Sequence, residues 1–174
     1  APILGQFDPE FTELMTETMK MARMLFQTQN EQTYVVDTTS RGGLETVLTG
    51  AICPGEKVLI PAFGRFGYLL AEILERCGAD ITILEKEWGT VFEPEEIETE
   101  LKKGGYKAVA CIHGETSTSM MQPLEEIGKI CKKYDALLIV DTVATLGGVD
   151  VRVDEWGLDA CIAGTQKCIS APSG

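Results

Sequence analysis

Short apolar runs of strand length, each handing over to a stretch of helical spacing, constrain this chain more than any other feature. Lys57-Val58-Leu59-Ile60, Ile81-Thr82-Ile83-Leu84, residues 108–112, residues 137–141 and a run ending near Ala163 read as strands, and Tyr34-Val35-Val36 as a shorter one. Little polar alternation interrupts them, which is the pattern of strands covered on both faces. Helical stretches lie between them. Asp8 and Pro9 read as N-cap and first helical position, with Phe11, Leu14, Met15, Met19 and Ala22 at helical spacing and assigned to a core. Residues 44–52 form the next helix, 67–77 another closed by Gly78, and further helices run from Pro94 to before Gly104-Gly105 and from Pro123 to about Tyr134. Alternation of this kind predicts an α/β fold, a mainly parallel sheet with helices on both faces. Ligands bind such sheets beyond the carboxyl ends of the strands, so the turns after Val36, Ile60, Ile112, Val140 and Ile162 are the places to search.

Several chemistries are excluded first. No GxGxxG follows a strand, and there is no GxxxxGK[ST], GxSxG or HExxH. The six cysteines contain no CxxC pair and mostly sit in apolar runs, so reduced, buried thiols of a cytoplasmic protein are expected rather than disulfides or a metal site. A net charge of -12 without a basic patch argues against nucleic acid and anionic membranes, and the apolar stretches have strand length rather than membrane-spanning length.

Two strand ends carry the strongest chemical signal. Leu137-Leu138-Ile139-Val140-Asp141 ends in a carboxylate, and the run from Asp159 ends in a small-residue turn and Lys167. Neighbouring strands would bring this amine and acid to one sheet edge. Pyridoxal phosphate needs such a pair, a lysine for the Schiff base and a carboxylate to hold the pyridine nitrogen protonated. The plainer alternative is an ion pair at the sheet edge. Thr38 to Gly43 is a small polar turn before a helix, equally readable as a phosphate cradle or a simple cap. Phe66, on a carboxyl-end loop, fits either core or stacking on a flat ring. The single histidine, His113, has no visible triad partner and is assigned a structural or supporting role.

In order and spacing these runs resemble the class V, fold-type I pyridoxal-phosphate aminotransferases of the alanine/serine–glyoxylate group, from Leu4 to Gly174. The likeness is carried by Leu4-Gly5-Gln6 with Asp8-Pro9, by Thr39-Ser40-Arg41-Gly42-Gly43, and by Gly114-Glu115-Thr116-Ser117-Thr118 with Gln122-Pro123-Leu124. Val140-Asp141 with Ala144-Thr145-Leu146-Gly147-Gly148, and Gly164-Thr165-Gln166-Lys167 with Pro172-Ser173-Gly174, complete it. Within that group, Gln6, Thr39-Ser40-Arg41, Phe63-Gly64-Arg65-Phe66-Gly67 and Gln166-Lys167-Cys168 look like the subfamily that moves an amino group from (S)-ureidoglycine to glyoxylate. His113-Gly114-Glu115 looks more like the wider group.

The resemblance implies roles. Lys167 would be the Schiff-base lysine and proton carrier, and Asp141 the partner of the pyridine nitrogen. Phe66 and Val143 would pack on the two ring faces, and Thr116 would bond near the ring hydroxyl. Ser40, Arg41 and Gln166 would hold the phosphate, and Gln6 would contact substrate. It also implies residues 1–174 as the large cofactor-binding domain of a longer chain, lacking a C-terminal small domain. The partners implied are a small amino donor, glyoxylate and a second subunit, with the active site at the homodimer interface. Alanine– or serine–glyoxylate transamination is the nearest alternative, a cysteine desulfurase a more distant one, and a non-catalytic fragment a third.

Overall fold

The computed structural model describes residues 3–172; Ser173 and Gly174, the end of the last matching motif, lie outside the described residues. The chain runs α1 (Pro9–Phe26), α2 (Ser40–Ala51), β1 (Lys57–Ala62), α3 (Arg65–Arg76), β2 (Asp80–Glu85), α4 (Pro94–Leu101) and β3 (Tyr106–Ile112). A two-stranded antiparallel hairpin follows, β4 (Gly114–Glu115) and β5 (Met120–Met121), then α5 (Glu125–Lys133), β6 (Leu137–Asp141), α6 (Val153–Trp156) and β7 (Ala160–Ile162).

The five long-range strands form a parallel sheet in the order β2-β1-β3-β6-β7. From β1 the chain steps outward to β2, then crosses back to β3 and continues to β6 and β7. The direction therefore reverses between β1 and β3, where an open parallel sheet leaves a crevice above its carboxyl ends. The central strands are apolar because both faces are covered. Val58, Leu59, Ala108, Val109, Ala110, Cys111, Leu138 and Val140 have no solvent exposure, and Leu44, Leu48, Leu70, Leu74, Ile97 and Ile127 from the helices complete the same core. Each fully buried Leu or Ile of this set contributes about 2–3 kcal/mol.

The structure corrects four expectations. Tyr34-Val35-Val36 is not a strand: it runs irregular and half-exposed, with no neighbouring strand to pair its backbone among the described residues. Helix α1 forms where Asp8 and Pro9 predict it, but none of its residues is buried, so its methionines are not core. The polar Thr39 turn is the beginning of α2 rather than a connection before it. Thr39 is the N-cap, its hydroxyl accepting the Gly42 N–H at 3.2 Å, and Gly43 lies against Ile162 of β7. The cap and that close approach outweigh the poor helix propensity of the glycines. Helix α5 starts at Glu125 rather than Pro123, with Leu124 as its cap residue. The cysteines divide: Cys111 and Cys131 are buried, Cys53 and Cys168 exposed, and all six are free thiols.

Candidate active site

A cavity of about 180 Å³ opens at the carboxyl ends of β1, β3, β6 and β7. Five separated segments wall it: Ser40 and Arg41 at the start of α2, Phe66 in the first turn of α3, Thr116 in the hairpin loop, Asp141 and Val143 at the end of β6, and Gln166 and Lys167 after β7. All eight positions expected around the cofactor thus meet at one cavity. Gln6 does not. It is exposed in the N-terminal turn, where Asp8 accepts the Gly5 N–H at 2.7 Å, and it does not line this cavity.

One end is built for an anion. The first amides of a helix have no intrahelical acceptor, and the helix dipole makes that end positive. At α2 the Gly42 amide goes to Thr39, which leaves those of Ser40 and Arg41 for a bound oxyanion. The Gln166 amide donates to Ser40 Oγ at 3.0 Å, fastening the β7 turn to the α2 start. Gly164 makes that approach possible, because a Cβ there would overlap Ser40 Oγ and come within 2.8 Å of Gln166 Oε1 and 3.2 Å of Val143. Arg41 lines both this cavity and an adjoining cleft.

The other end holds a buried acid. Strand β6 brings Asp141 to the cavity floor at 8% exposure, with one carboxylate oxygen accepting the Val143 N–H at 2.8 Å. Burial pushes its pKa up to about 6; the Val143 bond offsets part of this, and the charge of Glu115 adds to it. No lysine or arginine pairs with Asp141 among the described residues, so the ion-pair alternative to a ligand site has no support in the geometry. A buried carboxylate in this state favours a cation placed against it, which would lower its pKa again. A flat ring with a protonated nitrogen at Asp141, Phe66 and Val143 beside its faces, and a phosphate at α2 matches this donor set. The residues present therefore fit pyridoxal phosphate. Lys167 is exposed in the turn after β7, its N–H bonded to the Gly164 carbonyl at 3.3 Å.

His113 stands behind the cavity, not in it. Its ring is 1% exposed, shares a hydrogen bond of 2.8 Å between Nδ1 and the Thr145 hydroxyl, and packs edge-on against Trp156 with ring centroids 5.8 Å apart. Burial lowers its pKa to about 4, so it is a neutral packing group. The thiols of Cys131 and Cys161 are pushed up to about 12 by burial, which makes them poor nucleophiles.

Sequence reasoning missed one group at the cavity. Glu115 is 1% exposed and its carboxylate accepts the Phe66 N–H at 2.8 Å and the Ser117 hydroxyl at 2.6 Å. The glycine at position 64, where a helix-capping side chain is usual, was the available signal.

Comparisons with known proteins place the whole chain. The family profile described as aminotransferase class-V matches residues 4–174. The (S)-ureidoglycine–glyoxylate transaminase of Bacillus subtilis is 60% identical over 173 residues, which cover 99% of this chain and 42% of that protein. A crystal structure of ureidoglycine-glyoxylate aminotransferase from the same organism superposes with a TM-score of 0.98 at 59% identity, over 100% of this chain and 45% of the other. An alanine–glyoxylate aminotransferase structure from Nostoc sp. gives the same TM-score of 0.98 at 38% identity, over 100% of this chain and 46% of the other. The chain thus spans less than half the length of these relatives.

Proposed function

This chain belongs to the class-V aminotransferase family, and we propose that residues 1–174 form the large cofactor-binding domain of an enzyme that transfers the amino group of (S)-ureidoglycine to glyoxylate, giving glycine. The observation that carries the reaction type is the convergence of Lys167, the unpaired buried Asp141 and the α2 start on one cavity. The likeness to the Bacillus subtilis transaminase carries the choice of donor.

When bound, pyridoxal phosphate supplies an electron sink for the charge that develops at the donor's α-carbon. The rest falls to the protein. Asp141 would pair with the ring nitrogen, keep it protonated and so maintain the sink. Lys167 anchors the cofactor through its Nζ. The same Nζ would serve as the base that takes the donor's α-proton and returns it one position along. Ser40, Arg41 and Gln166 would hold the phosphate, and Phe66 with Val143 would pack on the ring, so that Nζ could move the proton over a short path. Thr116 would bond near the ring hydroxyl. Gln6, which does not line the cavity, would contact the donor. The expected assembly is a homodimer with its active sites at the interface. Six free thiols fit a cytoplasmic setting, and no helix among the described residues is long and apolar enough to cross a membrane.

Borohydride reduction of the full-length protein loaded with pyridoxal phosphate, followed by peptide mass mapping, tests the site. A single adduct at Lys167, absent in Lys167→Ala, is expected; labelling spread over surface lysines would refute the assignment. A donor panel tests the substrate. The half-reaction should run faster with ureidoglycine than with alanine, and the reverse order would make this an alanine–glyoxylate enzyme.

A further inference from the structure

Helix α3 carries Phe66 in its first turn but has no cap of its own. Its N-cap residue is Gly64, which has no side chain to accept the first amides. They are satisfied from 50 or so residues away in the chain. One oxygen of Glu115 accepts the Phe66 N–H at 2.8 Å and the Gly67 N–H at 3.4 Å. The other accepts the Ser117 N–H at 3.0 Å and the Ser117 hydroxyl at 2.6 Å, and Ser117 Oγ in turn accepts the Arg65 N–H at 2.9 Å. Gly64 is required by this arrangement, since a Cβ there would overlap Glu115 Cγ and lie 2.7 Å from Ser117 Oγ. A local cap and the distant one exclude each other.

Four donors converge on two oxygens. Only a carboxylate accepts all of them, because an amide would turn its NH2 toward another donor. The charge is offset by the positive end of α3 rather than by a lysine or arginine. The knot joins two cavity walls: Thr116 is the next residue after Glu115, and Phe66 is the residue whose amide it binds.

We propose that Glu115 is a positioning residue of the cofactor cavity, whose buried carboxylate fastens the Thr116 loop to the start of the Phe66 helix and so fixes both side chains relative to Asp141. It touches neither cofactor nor substrate; it acts through Phe66 and Thr116. Its charge also bears on Asp141, adding to the rise in that carboxyl's pKa. This inference rests on the reading of the cavity as the pyridoxal-phosphate site.

The test uses the full-length protein and Glu115→Gln, with three readouts: the cofactor dissociation constant by absorbance titration, the circular dichroism induced in the bound cofactor at saturation, and the titration of the Asp141 carboxyl by carbon NMR in the cofactor-free protein. Loss of a charge-assisted bond at the knot should weaken cofactor binding about tenfold. The induced signal should fall even at saturation, and Asp141 should titrate lower. Ser117→Ala, which keeps the carboxylate and loses only the hydroxyl bridge to Arg65, should move binding and induced signal the same way by about threefold, and it decides the matter if the Gln variant does not fold. A folded variant with unchanged dissociation constant and unchanged induced signal would overturn the proposal, even if its thermal midpoint dropped. Unmodified protein that takes up no cofactor would overturn both this inference and the reading of the cavity.

Discussion

Replacing Asp141 with Asn should stabilise the cofactor-free protein while disabling the site. Burial raises the Asp141 pKa from its ordinary 3.8 to about 6. A group whose folded pKa is raised contributes nothing unfavourable below pH 3.8, where both states are protonated. Stability is then lost as pH rises through 6, because the folded state must release a proton that it holds more tightly than the unfolded chain does. At 1.36 kcal/mol per pKa unit, the rise amounts to about 3 kcal/mol at pH 8. Asn keeps an oxygen for the Val143 N–H, which Asp141 now accepts at 2.8 Å. Its buried NH2 lacks an assured partner, which costs about 1 kcal/mol. The net expectation is a gain of about 2 kcal/mol at pH 8 that shrinks with falling pH and turns into a loss of up to about 1 kcal/mol at pH 4 and below. Urea unfolding of both cofactor-free proteins at the two pH values measures it. An Asn variant no more stable than the parent at pH 8, or a gain independent of pH, would refute the account of Asp141 as a buried acid awaiting a cation.

Three other outcomes follow from the same geometry. Gly164→Ala should weaken cofactor binding by about 1–3 kcal/mol in an absorbance titration, because the new Cβ overlaps Ser40 Oγ at the phosphate end. Gly128→Ala should lower the thermal midpoint sharply and leave the cavity residues in place. Its Cβ would overlap the Trp156 carbonyl oxygen, and a backbone clash cannot be relieved by a rotamer change. The imidazole resonance of His113 should titrate near pH 4 by proton NMR. Since the folded state refuses a proton that the unfolded chain accepts, His113 lowers stability progressively from about pH 6.5 down to 4, by about 3 kcal/mol. Asp141 has the opposite slope over much of that range, so the acid lability should be steeper in Asp141→Asn than in the parent.

The sequence by itself determined the alternation of apolar strands and capped helices, and with it a parallel sheet. Strands 57–62, 106–112 and 137–141 are apolar without alternation, and a strand buried on both faces leaves that mark in any chain. It also pointed to the cavity, since Lys167 and Asp141 follow strands, Ser40 and Arg41 sit at a helix start and Phe66 on a carboxyl-end loop, where such folds place ligands, while Thr116, Val143 and Gln166 were reached through the family resemblance. Tertiary structure decided what depends on partners distant in the chain. Whether Tyr34-Val35-Val36 becomes a strand depends on a neighbour to pair with, and whether α1 is buried depends on what covers it; local periodicity reports neither. Helix α3 begins at Arg65 because Glu115 caps it across the fold, a bond that local sequence rules do not contain. Nor could any local pattern set the Asp141 pKa near 6. That follows from how completely β3, β6 and the surrounding loops remove one carboxylate from water, with a second carboxylate close enough to be felt.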